Sequence, residues 1–146
     1  MKIAIGADHG GYSLKELLKG HLLEEGHEVL DLGTHDTDSC HYPVYAEKVA
    51  YAVKDGDAAL GILVCGTGIG MSIAANKVHG IRAAAVSDCF TAQATREHND
   101  SNVLCLGERT VGPGLAMRIV DTWLNASFQG GRHQMRVEMI GELEAR

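Results

Sequence analysis

The sequence predicts an α/β fold, a five-stranded parallel sheet with helices on both faces and one extra helix at the C-terminal end. Three observations carry this expectation. Short apolar runs recur five times, each closed by Gly or by a polar turn. Longer segments with apolar residues at helical spacing lie between them. Strands that alternate strictly with helices pair in parallel, because each crossover carries a helix that covers the sheet. At 146 residues, the stretch 1–146 makes one domain large enough to bury a core.

In order, Lys2 to Gly6 reads as the first strand and Asp8-His9-Gly10-Gly11 as the turn after it. Leu14, Leu17, Leu18, His21 and Leu22 then share one face of a helix, with Ser13 near its start and Gly26 as its stop. Glu28 to Gly33 is the second strand, and Thr34 to His41 a polar loop. Tyr42-Pro43 opens a helix that runs to about Lys54, where Asp55-Gly56 ends it. Ala59 to Val64 is the third strand, and the glycines after it feed a helix to about Lys77. Gly80 precedes a fourth strand, Ile81 to Val86, and a helix from Asp88 to about Glu97. Val103 to Leu106 is the fifth strand, followed by Gly107-Glu108-Arg109. The last helices span about Gly112 to Asn125 and Arg132 to the C-terminus. No repeat, linker or low-complexity tract interrupts the series.

Composition narrows the classes of function. A formal net charge of −6 argues against non-specific nucleic-acid binding. No apolar run reaches membrane-spanning length. The four cysteines, Cys40, Cys65, Cys89 and Cys105, show no C-x-x-C spacing and follow no secretion signal, since the chain opens directly into a strand. A reduced, cytoplasmic protein is expected.

The stretch Cys65-Gly66-Thr67-Gly68-Ile69-Gly70 holds the clearest chemistry. Glycines at these alternate positions let the backbone turn sharply and expose N–H groups to an anion without Cβ atoms in the way. Cys65, at a strand end beside a helix start, is placed where partial positive charge favours a thiolate, which acts as a base or a nucleophile. The spacing is wrong for a dinucleotide fingerprint, and no acid stands before Asp88 to bind a ribose; no Gly-Lys-Ser/Thr follows for a Walker loop. The plain alternative is a packing cysteine. Open parallel sheets bind ligands beyond the carboxyl ends of their strands, which directs attention to Asp8, His9, the His41-Tyr42 loop, Cys65, Ser87, Asp88 and Arg109.

Each of these has a structural alternative. Asp8 is either an Asx-type cap for the next helix or a ligand contact. His98, with Asn99, lies just past the fourth helix, where a His also suits the helix dipole. Arg132 and Arg136, one helical turn apart, either clamp a phosphate or pair with Glu138 and Glu142 on a solvated face. His35, Asp36, Asp38, Cys40 and His41 lack a zinc-type spacing, so no metal site is expected. Cys89 reads as packing and Cys105 as core.

At Asp8-His9-Gly10-Gly11, the Cys65 to Gly70 loop, His98-Asn99-Asp100-Ser101-Asn102-Val103-Leu104 and Arg132-His133-x-x-Arg136, the sequence resembles the type B ribose-5-phosphate isomerases. That family also includes the paired subunits of galactose-6-phosphate isomerase. The likeness covers essentially the whole chain, with four motifs in the family's order. It implies a Rossmann-like three-layer fold and a homodimer or dimer of dimers whose sites are built from two subunits. It also implies interconversion of ribose 5-phosphate and ribulose 5-phosphate with neither metal nor nucleotide cofactor. Isomerisation of allose 6-phosphate or galactose 6-phosphate is the near alternative, and a non-catalytic sugar-phosphate sensor the distant one.

By position, the resemblance makes Cys65 the base that moves a proton between the first two sugar carbons, with Thr67 beside it in the catalytic group. The backbone of Gly66, Gly68, Ile69 and Gly70 would stabilise the enediolate oxygen. His98 would open the furanose ring, and Asn99 and Asp8 would hold hydroxyls. His9, Arg132 and Arg136 resemble the phosphate contacts, Arg109 a further site arginine and Tyr42 a tyrosine that lines the site. One departure is visible: Cys40-His41 precede Tyr42-Pro43 where many members carry an acidic residue.

Overall fold

Parallel pairing joins five strands in the order β2-β1-β3-β5-β4 in a computed structural model that describes every residue from Met1 to Arg146. The elements alternate as β1 (Lys2–Ala7), α1 (Tyr12–Glu24), β2 (Glu28–Asp31), α2 (Tyr42–Lys54), β3 (Leu60–Cys65), α3 (Ile69–Ala75), β4 (Ala83–Ala85), α4 (Cys89–Asn99) and β5 (Val103–Gly107). Helices α5 (Pro113–Asn125) and α6 (Arg132–Glu144) complete the chain. The direction of each crossover decides its helix's face. Steps from β2 to β3 and from β3 to β4 run one way across the sheet and put α2 and α3 on one side. Steps from β1 to β2 and from β4 to β5 run the other way and put α1 and α4 on the opposite side, as a single handedness of crossover requires.

Alternation along the strands then sorts the core. Ile3, Ile5, Ile62, Val64, Leu104 and Leu106 face α1, α4 and α5, where Leu18, Ile119 and Trp123 are fully buried. Ala4, Leu63, Cys65, Val103 and Cys105 face α2 and α3. A Leu or Ile side chain buried this completely contributes about 1.5–3 kcal/mol. Trp123 also donates from Nε1 to Ser101 Oγ at 2.9 Å, which ties α5 to the start of β5. The α1 face carries a fully buried Lys15, whose ammonium meets Asp31 at 2.8 Å. Burial alone would raise the Asp31 carboxyl. Hydrogen bonds from Lys15, the Gly33 N–H and Lys19 outweigh it and hold the carboxyl below its ordinary value.

Elements β2, α3 and β4 are shorter than the sequence predicts: β2 ends at Asp31 rather than at Gly33, and the other two share one reason. The Asn76 side chain donates from Nδ2 to Ala83 O at 2.9 Å and accepts from Ala83 N–H at 2.8 Å. It thereby stands in for a strand partner on the outer edge of β4. This draws the chain out of α3 at Ala75 rather than at Lys77. Ile81 N–H is held by Val78 O within the same turn, so β4 begins only at Ala83.

Candidate functional site

The strand order reverses between β1 and β3, and the loops that leave these two strands flank the resulting crevice. From β1 comes Asp8, whose carboxylate accepts the Gly10 N–H at 2.9 Å and whose own N–H reaches Val64 O at 3.3 Å. Asp8 therefore does not cap α1, whose N-cap is Gly11 without a side-chain bond, because its carboxylate closes its own turn at Gly10, the one hydrogen bond that carboxylate makes. That bond does not exclude a ligand role, since Oδ1 alone is engaged in it. Gly11 has no room for a side chain: a Cβ there would collide with the Val64 carbonyl, so the turn is pressed onto β3.

His9, in the same turn, is exposed and accepts the Cys40 N–H on Nδ1 at 3.2 Å. An accepting Nδ1 places the proton of a neutral ring on Nε2, which is then the atom able to donate to an anion. Cys40, which the sequence reading left without a role, also has its sulfur 3.9 Å from that nitrogen. Cys40, the first of the two residues ahead of Tyr42-Pro43, thus orients His9.

From β3 comes Cys65, only 5% exposed, with its sulfur 3.1 Å from the Gly68 N–H. Helix α3 is short, and this single N–H is the donor that meets the sulfur directly. Gly68 adopts φ +79°, and a Cβ on it would press on the β5 backbone at Leu106 and Cys105. Its lack of a side chain is what lets that N–H approach. Burial, with the Cys65 thiol beside it, pushes the Cys105 thiol well up, so Cys105 stays a protonated core residue. Thr67 is exposed, its Oγ1 accepting the Ile69 N–H at 3.3 Å.

Neighbouring elements close around this loop. A Cβ at Gly70 would sit 2.8 Å from the Tyr42 ring, so Tyr42, at the start of α2, packs against the glycine. Arg109 lies over Gly66 and donates its N–H to Gly66 O at 3.1 Å. Glu108 N–H meets Cys65 O at 2.9 Å, and the Glu108 carboxylate accepts the Leu14 N–H at 2.6 Å at the start of α1. Asp8, His9, Tyr42, Cys65, Gly66, Thr67, Gly68, Ile69, Gly70 and Arg109 therefore belong to one cluster at the carboxyl edge of the sheet.

The remaining candidates form a second cluster at the other edge. Helix α4 leaves the carboxyl end of β4 and returns to the amino end of β5, so its last turn, which contains His98 and Asn99 rather than preceding them, lies across the sheet from Cys65. His133, between Arg132 and Arg136, stacks on His98 with ring centroids 4.3 Å apart and planes 11° apart. His133 is buried, and burial, His98 and the two arginines together lower its pKa below the ordinary 6.5. Arg132 and Arg136 are exposed and form no ion pair within 4.0 Å; Glu138 instead accepts from Gln134 at 2.9 Å. The paired, solvated face that the sequence left open does not form, and both guanidinium groups are available to an anion. His133 was visible in the motif, but nothing in its spacing marked it as the partner of His98. A groove of about 560 Å³ lies between β4, α4 and α6, and of the candidates it holds only Asn99.

Known proteins resemble this arrangement closely. The family model described as Ribose/Galactose Isomerase matches residues 3–140. Ribose-5-phosphate isomerase B of Escherichia coli is 54% identical over 145 residues, covering 99% of this chain and 97% of that protein. The solved structure of Clostridium thermocellum ribose-5-phosphate isomerase B superposes with a TM-score of 0.99 at 58% identity, covering 99% of this chain and 98% of that one. D-erythrulose-4-phosphate isomerase of Pectobacterium atrosepticum is 46% identical, covering 99% of this chain and 95% of that protein.

Proposed function

The chain belongs to the ribose/galactose isomerase family, and from that premise we propose that it is an aldose–ketose isomerase that interconverts ribose 5-phosphate and ribulose 5-phosphate. The observation that carries this reading is the Cys65 sulfur, held at the strand-order reversal with a backbone N–H 3.1 Å away and with Asp8 and Arg109 on either side. Moving a carbonyl from C1 to C2 requires removing a weakly acidic proton from C2 of the open-chain aldose. Cys65, as thiolate, takes that proton. Charge moves onto O1, where the N–H groups of the Gly66 to Gly70 loop stabilise the enediolate. The O2 hydroxyl proton passes to O1, which becomes the C1 hydroxyl, while the proton held by Cys65 returns to C1 as C2–O2 becomes the carbonyl, and the thiolate is regenerated. Asp8 and Asn99 hold hydroxyls, Tyr42 walls the pocket, and His9, Arg109, Arg132 and Arg136 take the phosphate.

His98 delivers the proton that opens the furanose ring, but in one chain it stands across the sheet from Cys65. A complete site therefore needs a second copy of the chain, with the Cys65 cluster of one facing the His98 cluster of the other. Apolar side chains beside both clusters support self-association: Ile69 and Ile73 on α3 are 56% and 58% exposed, and Met135 and Leu143 on α6 are 66% and 62% exposed. A homodimer, alone or paired again, buries them. Four free cysteines fit a reducing cytoplasm, and no helix is long and apolar enough to cross a membrane.

A coupled assay across ribose 5-phosphate, allose 6-phosphate and galactose 6-phosphate, run in deuterated water, tests the reading. Turnover of the five-carbon phosphate with solvent deuterium entering the product is the expected result. Absence of five-carbon turnover would reject the substrate, and ligand binding without deuterium incorporation would reject isomerase chemistry.

A further inference from the structure

The end of α4 is held by an arginine that no part of the proposed chemistry uses. Asp100, which follows Asn99, is left-handed at φ 47° and ψ 46°, and the final carbonyls of any helix lack partners within it. Arg82, in the turn ahead of β4, supplies them. Its Nε donates to Asn99 O at 2.9 Å and to Asp100 O at 3.1 Å, while its Nη2 donates to Asp100 O at 2.9 Å and to the Asp100 carboxylate at 3.4 Å. Arg96 grips the other side of the same residue, from Nη1 to Asp100 Oδ1 at 3.2 Å and to Ser101 O at 2.6 Å. Arg82 is itself anchored, since its backbone N–H donates to Asn102 Oδ1 at 2.8 Å.

A guanidinium spent on the chain's own carbonyls is not a ligand group. It is a clamp, and what it clamps is the turn that carries His98 and Asn99. We propose that Arg82 is a positioning residue for ring opening, fixing the last turn of α4 so that His98 meets the substrate held by the partner's Cys65 loop. The inference rests on the ring-opening role of His98 argued above. The planar fork suits the task, because it spans two successive carbonyls, whereas a lysine offers a single point charge on a flexible stem. Its charge also matches the partial negative end of the helix. Without it the left-handed Asp100 loses most of its hold, the final turn frays, and the His98 ring leaves its stack on His133. A displacement on the order of 1 Å at a reacting group costs roughly 100-fold in rate.

A double-mutant cycle between Arg82→Gln and His98→Ala in the assembled enzyme tests this, because a residue that acts only through His98 has nothing left to do once His98 is gone. In the wild-type background Arg82→Gln is expected to lower kcat by about 10- to 100-fold with KM changed less than about threefold. In the His98→Ala background it should change kcat by less than about twofold. Sedimentation of each variant checks that assembly is intact. Unchanged kcat in Arg82→Gln, or an equal loss in both backgrounds, overturns the proposal, the second outcome being that of a merely structural residue. Should Arg82→Gln fail to fold, Arg82→Lys runs through the same cycle under the same criteria. If His98→Ala alone leaves kcat intact, the role of His98 falls, and the inference falls with it by a different route.

Discussion

Mixing two dead enzymes should restore a defined fraction of activity. Cys65 pairs with Gly107 at the carboxyl end of β5, while His98 and the arginines of α6 sit beyond Val103 at its amino end. A five-residue strand covers about 16 Å, and the 11 residues of α4 cover about the same distance on the way back. No side chain bridges that span. In the proposed mechanism Cys65→Ala removes the base. Arg132→Ala with Arg136→Ala removes two charge-assisted phosphate contacts worth about 1.5–3 kcal/mol each, or roughly 10²–10⁴ in kcat/KM together. Subunit exchange at equal concentrations makes half of the dimers mixed, and each mixed dimer has one intact site of two when base and arginines come from different chains. The expected recovery is thus about one quarter of wild-type kcat/KM, assayed at substrate well below the wild-type KM. Recovery of no more than a few hundredths, with exchange verified by a mass-tagged subunit, would refute the opposed-cluster argument.

Other consequences are open to simpler measurements. Cys65→Ala should lower kcat/KM by about 10³-fold or more while calorimetric binding of ribulose 5-phosphate weakens less than about threefold; retained activity would remove Cys65 from the mechanism. Gly70→Ala places a methyl 2.8 Å from the Tyr42 ring, so the ring must swing away. A KM raised by about 3- to 10-fold is expected, and unchanged KM would mean Tyr42 does not wall the pocket. The depressed His133 pKa has a pH signature. The unfolded chain takes up this proton first as pH falls below 6.5, so the stability that neutral His133 contributes is complete above that value and is lost as pH drops toward the folded value. Urea midpoints should therefore fall from pH 7.5 to 5.5 more in wild type than in His133→Asn, and parallel falls would contradict the shift.

What the sequence disclosed and what it hid divide by range. Period and punctuation located all five strands, since each ends in a Gly or an Asx-rich turn and each is flanked by amphipathic stretches such as Leu14, Leu18 and Leu22. The strand, turn and helix start around Cys65 were legible for the same reason: the strand, cysteine and glycines are contiguous. Of the misjudged ends, Ala75 and Ala83 depend on Asn76 bonding a strand seven residues away, which leaves no periodic trace. The contacts of Cys40 with His9, of Glu108 with Leu14, and of Arg82 with Asn99 span 31, 94 and 17 residues. Such pairs carry no local signature, because what joins them is the order of strands in the sheet. The four motifs could be enumerated from the chain, yet their partition into two opposed clusters could not.

That partition follows from topology rather than from accident. In a parallel sheet every strand ends at the same edge, and each crossover helix must carry the chain back to the opposite edge before the next strand begins. A residue just after a strand and a residue at the end of a crossover helix are therefore separated by the full height of the sheet, whatever the sequence. Cys65 is of the first kind and His98 of the second. A chain of this topology can unite them only through a long excursion or through a second copy. The loops here are short: Gly66, Thr67 and Gly68 alone separate β3 from α3, and three residues, Asp100 to Asn102, separate α4 from β5. With no excursion available, the proposed function calls for a two-fold pairing that sets the carboxyl edge of one sheet beside the α4 end of another. Two-fold symmetry then builds the same junction twice. On the proposed reading, rigid holding of the α4 end becomes a requirement of ring opening, since each His98 would be aimed at a substrate bound by a different chain.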